Sequence, residues 1–120
     1  MGKYVDGFVI PIKQEKVEDY RKMAQKAGDI WKELGALDYY EAVGDDLEVE
    51  KMVSFRTIAG AAEDETVIFA WIVYESKEDR DRINAAVMED PRMKEEMESS
   101  GGIFDYTRMA YGGFQAIVEL

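Results

Sequence analysis

The segment Val67–Val73 (VIFAWIV) is apolar at every position, and no other stretch constrains the fold as strongly. Successive side chains of a strand point to opposite faces, so this strand must be covered on both. Phe114–Val118 (FQAIV) repeats the pattern, with only Gln115 interrupting it. A sheet with helices on one face and water on the other should instead alternate apolar and polar residues. Helices supply one cover, and no spare element of the chain supplies the second. The economical solution is the same face of another copy, an isologous twofold contact, because a bare apolar face is a liability. Two alternatives stay open: sheet twist blurs the parity, or the loop at Ala59–Glu65 folds beneath the sheet.

The remaining elements follow from periodicity. Tyr4–Ile12 (YVDGFVIPI) is rich in β-branched and aromatic residues and reads as a strand, with Pro11 at its exit or on an exposed edge. From Gln14 to Leu34, the residues Val17, Tyr20, Ala24, Ala27, Trp31 and Leu34 recur in steps of three and four, which is one stripe of a helix. Gly35 stops it, and Gly28 in its interior marks a close approach to the sheet. Leu37–Val43 is a second strand, ended by the turn cluster Gly44-Asp45-Asp46. Lys51–Thr57 is expected as a short strand or edge ribbon, Ala59–Glu65 as a loop and Thr66–Tyr74 as the strongest strand. Ser76 caps a helix over Lys77–Glu89 with Ile83, Ala86 and Val87 inward. Asp90-Pro91 then breaks and restarts it as a short helix carrying Met93 and Met97. Ser99–Gly102 is a link, and Met109–Leu120 is the last strand. The order is β-α-β-(β)-β-α-α-β. Without the ribbon and the extra helix it is β-α-β-β-α-β, the split βαβ or ferredoxin-like α+β arrangement, with an antiparallel sheet and helices on one face. No linker or repeat divides the chain, so 1–120 is expected as a single domain.

Composition removes whole classes of chemistry. The formal charge is -11 over 120 residues. Nucleic acids and anionic membrane surfaces are therefore repelled, and the basic stretch at Lys13–Lys16 is diluted by Gln14 and Glu15. There is no cysteine and no histidine. Thiolate nucleophiles, imidazole bases, axial haem ligands and Cys or His metal sites are thus unavailable. No cofactor and no metal are expected. Asp45, Asp46, Glu48 and Glu50 lack the spacing of a calcium loop and read as a solvated acidic turn. No apolar run has the length of a membrane span. Neither a signal peptide nor a complete myristoylation motif opens the chain, since Asp6 stands where Ser or Thr is needed, so a cytoplasmic location is the expectation.

Eight blocks of sequence also carry a likeness. Tyr4-Val5-Asp6-Gly7-Phe8, Gly35-Ala36-Leu37 with Gly44-Asp45-Asp46, Ser54-Phe55, and Trp71-Ile72-Val73-Tyr74-Glu75-Ser76 occur in order. They are followed by Arg80-Asp81-Arg82-Ile83-Asn84, Met88-Glu89-Asp90-Pro91-Arg92 and Arg108-Met109-Ala110-Tyr111-Gly112-Gly113-Phe114. From Tyr4 to Glu119 the chain resembles the YbaA-like family of bacterial proteins, a domain of unknown function. The resemblance implies the dimeric α/β-barrel superfamily, in which two ferredoxin-like subunits pack sheet against sheet. Relatives there include cofactor-independent monooxygenases, isomerases, haem enzymes and small stress proteins. It transfers no catalytic residue.

Candidate site residues each carry two readings. Asp6, a carboxylate within an apolar strand, is either a general base in a cavity or a structural partner of Arg82, Arg108 or a backbone amide. The structural reading is preferred. Trp71 and Tyr111, with Tyr40, are candidates for an aromatic pocket wall, whereas Trp31 on the helical stripe is better placed in the core. Arg82 and Asn84 suit recognition of a carboxylate or phosphate. Arg80 reads as solvated, and Glu78 with Arg82 as a helical ion pair. Gly112-Gly113 allows a bulge, a close ligand or a tight subunit contact. The leading expectation is a homodimer that binds a small molecule between sheet and helices. The alternatives are a cofactor-independent monooxygenase-like or isomerase-like enzyme, and a non-catalytic protein-interaction module.

Overall fold

The computed structural model describes residues 2–120. Strands β1 (Tyr4–Lys13), β2 (Asp38–Val43), β3 (Glu65–Tyr74) and β4 (Ala110–Gln115) form one antiparallel sheet in the order β2-β3-β1-β4. Helices α1 (Val17–Glu33), α3 (Lys77–Glu89) and α4 (Pro91–Ser99) join α2 (Phe55–Ala59), which lies between β2 and β3 in the chain. This is the ferredoxin-like arrangement read from the element order.

The two longest strands take the centre. β1 and β3 pair from Tyr4↔Tyr74 to Lys13↔Glu65, while β4 pairs with β1 only from Tyr4 to Val9. Pro11 therefore lies where β1 has a neighbour on one side only, and its missing N–H leaves no gap in a ladder. Asp6, Phe8, Ile10 and Ile12 of β1 share the inner face with Ile68, Ala70, Ile72 and Tyr74 of β3. Onto that face α1 lays Tyr20, Ala24 and Ile30, and α3 lays Ile83 and Val87, all buried. A Cβ on Gly28 would stand 2.7 Å from the Tyr39 ring, so α1 and β2 approach closely at that glycine. The helix starts follow their local signals. Ser76 Oγ accepts from Asp79 N at 3.1 Å, and Asp90 accepts from Arg92 N at 2.8 Å with Pro91 at the first helical position.

Three expectations are corrected. Lys51–Thr57 forms no strand; Ser54 Oγ accepts from Arg56 N at 3.0 Å and opens α2, which Gly60 closes in the left-handed region at φ +67°. The last strand ends at Gln115, because β4 runs out of partner where β1 begins at Tyr4; beyond it Ile117 and Val118 are exposed. The outer face of the sheet is also not wholly bare. Helix α2 packs on β1 and β3, with Phe55 5.7 Å from Phe69, at the end where Pro11 and Val67 are buried. The rest stays open. Tyr40 stacks on Trp71 at 5.0 Å and is 55% exposed, Phe69 is 43% exposed, and Phe114, lying over Gly7, is 60% exposed. Within one chain the sheet is open, with β2 and β4 as its edges.

Candidate functional site

Between the inner face and the helices lies a cavity of about 380 Å³. Ligand sites commonly begin at this size. Its walls are mostly apolar: Phe8, Ile10, Ala70 and Ile72 from the sheet, Met23, Ala24 and Ala27 from α1, and Met93 and Met97 from α4. The segment after α4 adds Phe104 and Tyr106, whose rings stand 4.6 Å apart, and Phe104 meets Tyr20 edge-on at 5.4 Å.

One end is organised by Asp6, only 1% exposed. Its Oδ1 accepts from Arg80 Nε at 2.9 Å; its Oδ2 accepts from the Tyr74 hydroxyl at 3.1 Å and lies 3.4 Å from Asn84 Nδ2. Asn84 Oδ1 in turn accepts from Trp31 Nε1 at 3.1 Å. A buried carboxylate is tolerated because a guanidinium and these donors replace its water. Arg80 reaches it by lying over the Tyr4 ring, 5.0 Å from the centroid. A Cβ on Gly113, the β4 residue paired with Asp6, would collide with Arg80 Nη2 and the Tyr4 hydroxyl. Tyr111 sits beside this cluster, and burial, then the Asp6 charge, raises the pKa of its hydroxyl.

The other end is Glu41 of β2. Its two oxygens accept from the Tyr20 hydroxyl at 2.7 Å and the Tyr39 hydroxyl at 2.6 Å. In register, Glu41 pairs with Ala70 and Ala70 with Phe8, one row along and two strands across from Asp6. Desolvation raises the pKa of Glu41 against the lowering effect of the two hydroxyls. Chemically, the cavity joins an ion-paired carboxylate and an amide at one end to a carboxylate flanked by phenols at the other.

The fold brings Asp6, Asn84 and Tyr111 together and separates the other candidates from them. Trp71 and Tyr40 stand on the outer face, because Trp71 pairs with Gly7 and has the parity opposite to Ile72 and Asp6. Arg82 is exposed and lies 3.4 Å from Asp79, not Glu78. The partner of Asp6 is Arg80, read from sequence as solvated, and neither Arg82 nor Arg108, which binds Glu65 at 2.8 Å. Trp31 packs against the core cluster, as expected, and also lines the cavity. Tyr20, Tyr39, Tyr74 and Glu41 were absent from the sequence-derived set. Arg80 and Asn84 are four residues apart on α3, the spacing of one helix face, and Glu41 shares strand parity with Tyr39. Those spacings were the available signals. No group of three or more acidic residues among the described residues has the geometry to hold a metal ion. No helix among them is long and apolar enough to cross a membrane.

Fold and cavity together define a ferredoxin-like α+β protein. Solved structures share that fold across the whole chain. A dimeric ferredoxin-like protein from an uncultured marine organism has a TM-score of 0.64 at 11% identity and is covered over 100% of both chains. SnoaB, a cofactor-independent oxygenase of Streptomyces nogalater, gives 0.63 at 10% identity, covering 100% of this chain and 98% of its own. At such identities the likeness establishes the fold alone. Sequence is more specific: residues 3–106 match the family model described as "Protein of unknown function (DUF1428)", and the chain belongs to that family. It is 48% identical over 117 residues to the "Uncharacterized protein YbaA" of Escherichia coli K12, and to that of Shigella flexneri, with 98% of each chain covered.

Proposed function

We propose that this protein binds a small, largely apolar molecule in the cavity between sheet and helices, and that it acts as a cytoplasmic homodimer joined through the outer sheet face. The observation that carries the first part is the cavity itself. About 380 Å³ of space is walled by methionines, alanines and rings, and polar groups converge on it from two ends. Trp31, Asn84 and Tyr111 are the contact residues in this reading. Asp6, already bonded to Arg80, Tyr74 and Asn84, is a positioning residue and not a free base.

A neutral hydrophobic dye, N-phenyl-naphthylamine, tests it. The native chain should enhance the dye's fluorescence. Ala27→Phe, which fills the cavity, should abolish that gain while the thermal melt stays cooperative. Enhancement that survives Ala27→Phe would place the dye elsewhere and remove the support.

The homodimer rests on charge as well as area. At -11 per chain, two copies meet most readily where little charge is presented. The centre of the open patch, Tyr40, Phe69, Trp71, Val73 and Phe114, carries none, and Asp38, paired with Val73, sets a charge at its edge. The architectural neighbour described as dimeric adds to the reading. A second reading, an oxygenase that needs no cofactor, draws on the resemblance to SnoaB. Such an enzyme needs a base inside the cavity, and Glu41, which makes no ion pair among the described residues, suits that role better than Asp6. Oxygen consumption in the presence of a cavity ligand separates binding from turnover.

A further inference from the structure

The charge inventory of the cavity is one-sided. Among the described residues no lysine or arginine lines it, while Asp6, Glu41 and Glu96 do. Asp6 is neutralised by Arg80 at 2.9 Å, and Glu96 faces Lys26 at 3.8 Å. Glu41 has only the two phenolic hydroxyls. Two cations of α1 on its other side are engaged elsewhere. They belong to a groove of about 360 Å³ between α1 and β2, which shares Ala24, Tyr39 and Glu41 with the cavity. In that groove Arg21 binds Glu18 at 2.7 Å, and Lys32 Nζ donates to the Leu37 carbonyl at 2.7 Å. Glu41 is thus a half-buried carboxylate without a counter-ion, and each of its oxygens has a lone pair to spare. A carboxylate that has lost water without gaining a cation benefits most from a ligand that brings one. The Tyr20 and Tyr39 hydroxyls fix one lone pair of each oxygen and so orient the carboxylate for such a donor.

We infer that the Glu41 end of the cavity recognises a protonated amine carried on an apolar body, with the body lying along the methionine and aromatic walls. The inference rests on the proposal that the cavity is a ligand site, and it excludes anionic ligands. The overall acidity of the chain draws a cation toward the site and repels an anion.

Three probes with one phenylpropyl body and different ends test it by calorimetry: phenylpropylamine, phenylpropanol and phenylpropionate. The amine should bind about tenfold more tightly than the alcohol, because it alone sets a positive charge against the carboxylate as well as a hydrogen bond, and the carboxylate should not bind. Glu41→Gln, isosteric and uncharged, should bring the amine down to the affinity of the alcohol and change the alcohol far less than the amine. Equal binding of amine and alcohol by the native chain overturns the inference without any variant. So does an amine preference that persists in Glu41→Gln. If the alcohol and the neutral dye bind while the amine gains nothing, only the amine inference falls. If none of the four molecules binds, the cavity reading falls with it.

Discussion

Asp6 is the residue on which the site cluster turns. Removing its carboxylate leaves Arg80 Nε and the Asn84 amide without their acceptor, although Arg80 Nη1 keeps Asp81 at 2.8 Å. Asp6→Ala should therefore cost about 2–3 kcal/mol in urea unfolding. Asp6→Asn, which keeps an oxygen for Tyr74, should cost less. Equal stability of all three chains would show that the ion pair is not structural. A second ion pair gives a pH signature. Hydrogen bonds from Arg108, and then from the Ala62 amide, hold the Glu65 carboxyl down to about 2 from an ordinary 4.5. A depressed carboxyl contributes stability that is complete above its unfolded pKa and is lost as pH falls through its folded one. The native chain should exceed Arg108→Ala by about 1–2 kcal/mol at neutral pH. The two stabilities should converge between pH 4.5 and about 2, as followed by denaturant melts at stepped pH. Asp6 was conspicuous in the sequence because a carboxylate interrupts an apolar strand. Its partner was not, because Arg80 lies 74 residues away and nothing local distinguishes it from the solvated arginines around it.

Elements were legible where their signals are local. The Ser76 and Asp90 caps, Pro91 and the stripe of α1 all act within a turn or two of the residues that carry them. Ser76→Ala should cost about 1 kcal/mol. Gly28→Ala poses helix propensity against packing. Propensity favours alanine by about 1 kcal/mol, but its Cβ would lie 2.7 Å from the Tyr39 ring, and forced overpacking costs about 1–3 kcal/mol. A net loss is expected, and a more stable variant would show that Tyr39 yields freely. Helix α2 escaped the periodicity because five residues complete barely more than one turn. Its Ser54 cap and Gly60 stop were the readable marks, and Phe55 and Phe69 hold it only once the sheet exists.

At the scale of the whole molecule, the doubly apolar strands and the acidic remainder lead to one expectation. Sedimentation equilibrium should give twice 13.7 kDa for the native chain. Trp71→Glu, which sets a charge in the middle of the open face, should give a monomer. Because Trp71 stacks on Tyr40 outside the cavity, that monomer should keep its dye binding. A native chain that sediments at 13.7 kDa would leave the exposed rings without the second copy proposed for them.

The split βαβ order and the starts of the helices at Ser76 and Asp90 were determined by the sequence alone, because periodicity, caps and strand parity act between near neighbours. The tertiary structure decided which face each strand residue takes and which distant groups meet. Register sent Trp71 and Tyr40 outward and Glu41 inward, and the docking of α3 carried Arg80 and Asn84 onto Asp6. A one-residue slip would reverse the first outcome, and a small change in helix placement the second. Neither is encoded within the reach of a local pattern, since both follow from how helices and sheet share one buried space.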